Sequence, residues 1–170
     1  GDVVGIDCGV FYKGFHTDIA HTVRIQNSKV KTQKSKDEID KFLETGERAL
    51  NEAIKQAKAG NRVGHISKTI QNIVEGEGYS IVRSLVGHGV GRTLHEEPEV
   101  PGFLGFDIKE TPVLAESTTI AIEVIYNMGK SSVKYLNEDG WTIATEDGSI
   151  SGLFERTILI AKEGPVILTN

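Results

Sequence analysis

The stretch Gly5-Ile6-Asp7-Cys8-Gly9-Val10-Phe11-Tyr12-Lys13-Gly14-Phe15-His16-Thr17-Asp18 decides how this chain is read. It consists of two short β-type segments joined by a Lys/Gly turn, with one aspartate in each. Val3, Val4 and Ile6 lead into the first aspartate, and Ile19, Thr22, Val23 and Ile25 follow the second. Strand-forming residues therefore surround two carboxylates, where burial of a lone charge is costly. If the segments pair as a hairpin, Asp7 and Asp18 converge on one face of a sheet. Two like charges held there need cations or protons between them. Two turn or edge aspartates facing water would look the same on this stretch alone, so the rest of the chain has to decide.

Three further polar residues do so. Glu123 lies in the strand pattern Thr118 to Tyr126, where Ile120, Ala121, Ile122, Val124 and Ile125 leave it no polar face. Glu155 is similarly enclosed by Leu153, Phe154, Ile158, Leu159 and Ile160, and His88 stands among glycines in Gly87-His88-Gly89-Val90-Gly91. A strand glutamate that is apolar on both sides needs a compensating charge or metal. Four carboxylates and one imidazole suit a pair of divalent ions; Mn, Fe, Co and Zn all accept such mixed sites.

Between these residues the chain reads as two helices set among strands. Ser35-Lys36-Asp37-Glu38 has the form of a capping box. Ile39, Phe42, Leu43, Ala49, Leu50, Ala53, Ile54 and Ala57 then follow at helical spacing, to a stop at Gly60. Gly46 falls on that stripe and predicts close approach of another element. A second helix is expected from about Val63 to Glu75. Gln26 to Lys34 reads as a solvated loop and Ile81 to Val86 as one strand. The three glycines beside His88 read as a sharp turn, and Glu96 to Thr111 as a loop. Asp139-Gly140 and Asp147-Gly148 are hairpin-turn pairs, which predicts a meander of Val133 to Leu136, Trp141 to Thr145 and Leu153 to Ala161. Strands, two helices, then strands give an α+β class.

Composition excludes several alternatives. With 170 residues there is one domain's worth of core. A net charge of -5 argues against a broad grip on nucleic acid. The single cysteine, Cys8, can form no intramolecular disulfide and no cysteine zinc cluster. No apolar run reaches membrane-spanning length. A cytoplasmic protein with no membrane partner is expected. The strand pattern begins almost at Gly1, which reads as a fragment or a processed form whose upstream sequence is missing.

The motifs Ile6-Asp7, Gly14-Phe15-His16-Thr17-Asp18, Gly87-His88-Gly89-Val90-Gly91, His95-Glu96-Glu97-Pro98, Ile122-Glu123, Asp139-Gly140-Trp141-Thr142 and Phe154-Glu155 resemble those of type I methionine aminopeptidases, members of the pita-bread metallopeptidases (family M24). They run in the family's order over nearly the whole chain. The resemblance implies a pita-bread fold, an antiparallel sheet with helices packed on its outer face. It implies two divalent ions (Co, Mn, Fe or Zn) held by Asp7, Asp18, His88, Glu123 and Glu155, with Asp18 and Glu155 bridging. Asp7 would hold one ion, and His88 and Glu123 the other. Glu123 would accept a proton, His95 would contact substrate at the scissile carbonyl, and Trp141 would lie near the methionine pocket. The implied activity is removal of initiator methionine from nascent proteins, with association to ribosomes a further expectation. Arg156, Val124 and Leu94 depart from the family's usual histidine, proline and aromatic. The family's N-terminal part has no counterpart here, so residues 1–170 are expected to be one truncated catalytic domain. Two alternatives remain open: an Xaa-Pro aminopeptidase or dipeptidase of the same fold, and a non-catalytic binding module.

Overall fold

The computed structural model describes residues 2–25 and 33–170. The loop expected over Gln26 to Lys34 falls largely outside them, and so do the side chains of residues 33–37. In chain order the elements are β1 (Val3–Asp7), β2 (Val10–Tyr12), β3 (Phe15–Thr17), β4 (Ile19–Arg24), α1 (Gln33–Ile54), α2 (Val63–Gly76), β5 (Ser80–Ile81), β6 (Gly87–Gly89), β7 (Glu96–Val100), β8 (Thr119–Asn127), β9 (Val133–Tyr135), β10 (Ile143–Thr145), β11 (Ser151–Ala161) and β12 (Gly164–Ile167). The main sheet runs β1-β4-β11-β8-β6-β7, with β12 beside β11 and β5 beside β8. Its pairings are antiparallel. This is the α+β arrangement expected of the sequence, with both helices on one face.

The core follows from the two-residue alternation of the central strands. Ile120, Ile122, Val124 and Tyr126 of β8, with Phe154, Ile158 and Ile160 of β11, point one way. There they meet Phe42, Ala49, Leu50 and Ala53 of α1 and Ile66, Ile70 and Val74 of α2. Gly46 marks the closest approach. A Cβ there would stand 2.5 Å from both the Phe154 ring and the Tyr126 hydroxyl, so only glycine lets α1 lie this near the sheet. The opening hairpin forms as expected: β1 pairs with β4, and Asp7 is opposite Ala20. Its far end continues as the separate ribbon β2–β3, turned at Lys13 and Gly14, both with positive φ.

Several expectations need correction. Helix α1 begins at Gln33, ahead of the serine expected to cap it. It ends at Ile54, so Ala57 and Gly60 belong to the following turns, with Gly60 at φ 87. Residues 81–86 are not one strand. Ser80 and Ile81 lie opposite Asn127 and Tyr126, so an unbroken ladder would set Val86 opposite Ala121. His88 stands there instead, two residues late, because the intervening chain bulges from the sheet. Gly87 and Gly89 then make no turn; they belong to β6, and neither has a positive φ. Their lack of a side chain serves packing: a Cβ at Gly87 would meet the Ala121 carbonyl at 2.4 Å, and one at Gly89 the Glu97 carbonyl at 2.2 Å. Glu96 to Val100, expected in a loop, is the strand β7, so β6 is crowded by β8 at Gly87 and by β7 at Gly89. The expected meander is also wrong. β9 and β10 form a ribbon of their own, while β11 returns to the main sheet between β4 and β8, and β12 was unforeseen.

Candidate metal centre

The face of the sheet away from the core helices gathers the polar residues through strand register. One rung runs Asp7, Ala20, Glu155 and Glu123 across β1, β4, β11 and β8. Two residues further along, on the same face, Thr157, Ala121 and His88 form the next rung across β11, β8 and β6. Asp18 precedes β4 and is tied to Thr157, whose hydroxyl accepts from the Asp18 N–H and donates to its carbonyl, each at 2.8 Å. Alternation and register thus deliver three carboxylates and a small alanine to one rung, and to its neighbour an imidazole and the threonine that holds Asp18. The bulge before β6 brings histidine, not valine, to the end of that second rung.

Side-chain geometry closes the cluster. Asp18, His88 and Glu155 are buried, and each offers a ligand atom within 4.8 Å of the others. His88 Nε2 lies 3.4 Å from Glu123 Oε1 and 4.0 Å from Asp18 Oδ2. The other ring nitrogen, Nδ1, lies 2.9 Å from the Gly89 carbonyl, which fixes it as the N–H donor and leaves the Nε2 lone pair facing the carboxylates. Burial lowers the affinity of His88 for a second proton. Asp7 is exposed, so the cluster opens to solvent on its side.

The two opposed glutamates are far from their ordinary acidity. Burial, then repulsion by Glu123, Asp18 and Asp7, raises Glu155 to about 9. Burial, then Asp18 and Asp7, raises Glu123 to about 8. Burial and the neighbouring Asp18 also raise Asp7. Glu155 Oε1 is buried without a hydrogen-bond partner. A buried acceptor with nothing to accept from, facing a second carboxylate directly across the strand, fits a cation. The donor set, carboxylate oxygens with one imidazole, suits a divalent transition metal.

Residues 1–161 match metallopeptidase family M24. The chain belongs to that family. This M24 chain is 43% identical to a methionine aminopeptidase of Clostridium perfringens, over 99% of its own length and 64% of the relative's. A methionine aminopeptidase from Thermotoga maritima superposes with a TM-score of 0.88 at 38% identity, covering all of this chain and 64% of that one. A prolidase from Pyrococcus furiosus gives a TM-score of 0.72 at 24% identity, covering all of this chain and 42% of that one, a likeness of fold alone. The M24 chain thus spans about 64% of the length of the first two relatives.

The remaining expected site residues are placed unequally on the M24 framework. His95 is exposed, and its ring packs edge-on against His88 with centroids 4.4 Å apart, at the border of the cluster. Trp141 is 85% exposed at the end of the β9–β10 ribbon. Its turn is locked by Asp139, which accepts from the Trp141 and Thr142 N–H groups, each at 2.9 Å. Arg156 is directed along the backbone, donating to the carbonyls of Glu155 at 2.7 Å and Ala20 at 3.3 Å. The His16 N–H donates to the Gly91 carbonyl at 2.7 Å, pinning the hairpin ribbon to the segment after His88. Sequence reasoning missed Thr157. Its only sequence signal was a two-residue offset from Glu155, which puts both on one face of a strand.

Proposed function

We propose that this chain carries the centre of a dinuclear metal-dependent aminopeptidase that removes N-terminal methionine from nascent proteins. Asp7, Asp18, His88, Glu123 and Glu155 would hold the ions. The observation that carries the reading is the pair Glu155 and Glu123: opposed across β11 and β8, largely withdrawn from water, one oxygen without a partner. The basic side chain beside them is His88, whose affinity for a second proton is lowered by burial. A pair of divalent ions (Co, Mn, Fe or Zn) bound there supplies Lewis acidity and lowers the pKa of bound water.

The protein's own groups then have distinct tasks. Glu123 holds its own proton up to about 8 in the metal-free fold; ionised by bound cations, it would be the group that accepts a proton. His88 stays neutral and presents Nε2, its ring aimed by the Gly89 carbonyl. His95, beside His88 on the solvent side, would donate to the scissile carbonyl oxygen as charge builds there; its ring contact with His88 supports this role. The open side at Asp7 is the approach for a peptide N-terminus. Methionine selectivity, with Trp141 near the side-chain pocket, is supported by likeness to methionine aminopeptidases along the whole chain. Cytoplasmic action, with or without ribosome association, belongs to the same reading. Among the described residues no helix is long and apolar enough to cross a membrane.

Metal-stripped protein titrated with Mn(II) or Co(II) should take up close to two equivalents, and the loaded form should cleave Met-Ala in preference to Ala-Pro. Preference for Ala-Pro would move the chain to the Xaa-Pro enzymes, and failure to take up metal would make it a binding module. His95→Ala should lose about 100- to 1000-fold in turnover, roughly 3–4 kcal/mol, with metal content unchanged. Near-normal turnover would remove His95 from the chemistry.

A further inference from the structure

β11 is shared unevenly between its neighbours. Against β8 it pairs without interruption from Ser151 to Leu159. On its other edge only Glu155 and Arg156 pair with β4, and from Ile158 to Ala161 the partner is β12. Beyond either end of the short β4 pairing, a buried threonine hydroxyl replaces the ladder. Thr22 of β4 donates to the Leu153 carbonyl and accepts its N–H, each at 2.8 Å. Thr157 of β11 does the same for Asp18, again at 2.8 Å for both bonds. The two bridges are alike in chemistry and burial, with Thr22 3% and Thr157 1% exposed. They differ in what they hold: a leucine in one case, a candidate ligand in the other.

Thr157 is itself fixed from the far side. Its N–H donates to Thr169 Oγ1 at 2.9 Å, and its carbonyl accepts from the Leu168 N–H at 2.9 Å. The Thr169 hydroxyl also reaches the Asp18 carbonyl at 3.4 Å. Asp18 therefore has both backbone groups held by one hydroxyl rather than by a strand. Its Oδ1 accepts from the Ile19 N–H at 3.1 Å, and Oδ2 is the oxygen nearer His88. The carboxylate can point steadily into the cluster only while the peptide carrying it is fixed.

We infer that Thr157 is a positioning residue: its hydroxyl, backed by Thr169, sets the Asp18 carboxylate at the distance from Glu155 that lets both hold one divalent cation. The inference rests on the metal-centre reading above. A hydroxyl inserted between the edges holds Asp18 off β11, leaving space between the two carboxylates that a closed ladder would not.

The test uses Co(II) titration followed by its visible absorption, with thermal unfolding of the same metal-free samples. Thr157→Val keeps the side-chain shape and removes the hydroxyl. It should weaken Co(II) binding roughly 10- to 100-fold and change the absorption band, as expected when a group orienting a ligand is lost. Thr22→Val removes an equivalent bridge and should lower the melting temperature by a similar amount with Co(II) affinity intact. Thr157→Ser should restore affinity and spectrum. Equal Co(II) affinity in Thr157→Val and Thr22→Val would overturn the inference, and so would a Thr157→Ser protein as weak as Thr157→Val. If Thr157→Val does not fold, Thr169→Val decides: weakened Co(II) binding supports the inference, and wild-type affinity overturns it. Wild type and Asp18→Ala separate the two levels. Without Co(II) uptake by wild type the metal-centre reading fails, and the inference falls with it. Where wild type binds and Asp18→Ala does not, that reading stands and the threonine variants alone decide.

Discussion

The two faces of the β8–β11 pair are built from the same alternation and reach opposite conditions. On the helix side, Val124, Tyr126, Phe154 and Ile158 meet α1 and α2 in a closed apolar core. The lone polar atom among them, the Tyr126 hydroxyl, donates to the Phe42 carbonyl. On the other side, one residue along each strand, Glu123 and Glu155 stand opposed, with an oxygen unpartnered and their protons held far above the ordinary range. One face is complete in itself, whereas the other reaches its low-energy state only with something positive added. Stability and chemistry have been separated by a shift of one residue.

The sharpest way to break this contrast is to empty the charged face. Glu155→Ala should weaken divalent-metal binding by more than roughly 100-fold, beyond what loss of an orienting residue costs. The metal-free protein should unfold no earlier than wild type near neutral pH, because a repelled, desolvated carboxyl has been removed. Calorimetry with and without Mn(II) reads both quantities. Retained affinity would take Glu155 out of the coordination shell. A large loss of metal-free stability would show that the face is structural after all.

A smaller effect is the pH dependence of the same face. In the metal-free fold Glu123 and Glu155 hold protons up to about 8 and about 9, against 4.5 for an ordinary glutamate. Between those limits the folded state binds more protons than the unfolded one, so stability falls as pH rises. The contribution is fully present below 4.5 and is lost as pH climbs through about 8 and about 9. Divalent cations bind the ionised forms and expel those protons. The gap in melting temperature between Mn(II)-loaded and stripped protein should therefore widen from about pH 6 to about pH 8.5. A constant gap would mean that metal and proton do not compete for these carboxyls.

How much of this was legible in the sequence differs with the range of the interaction. Glu123 and Glu155 could be singled out because their apolar neighbours are adjacent in the chain. Likewise, the hairpin around Asp7 and Asp18 is local, and α2 was read to within a residue of its Val63–Gly76 extent. What failed was set by distant strands. Residues 81–86 are strand-like throughout, and only register against β8 reveals the two extra residues that place His88. Gly87 and Gly89 read as a turn because glycine at positive φ and glycine under a neighbouring backbone look alike in one dimension. Asp139-Gly140 and Asp147-Gly148 suggested local pairing for β11, whose real partners are β4, β8 and β12. A threonine in a strand, like Thr157, carries no mark of the backbone it will serve.

The smallest predicted effect tests whether the two faces are independent. On an open helix surface, Gly46→Ala would stabilise by about 1 kcal/mol through helix propensity. Here the new methyl would stand 2.5 Å from Phe154 and from the Tyr126 hydroxyl, and overpacking of this kind costs about 1–3 kcal/mol. The net should be a loss of about 0–2 kcal/mol, read as a fall of about 2–4 °C in melting temperature for each kcal/mol. Phe154 is the chain neighbour of Glu155, so any displacement of its ring presses on the backbone that carries the ligand. Against this, β11 is held to β8 from Ser151 to Leu159, and that ladder should absorb the strain as tilt of α1 away from the sheet. Co(II) affinity of Gly46→Ala should then equal that of wild type. If affinity falls together with melting temperature, the core face and the charged face are one mechanical unit, and the distance between Asp18 and Glu155 is set from both sides of the sheet.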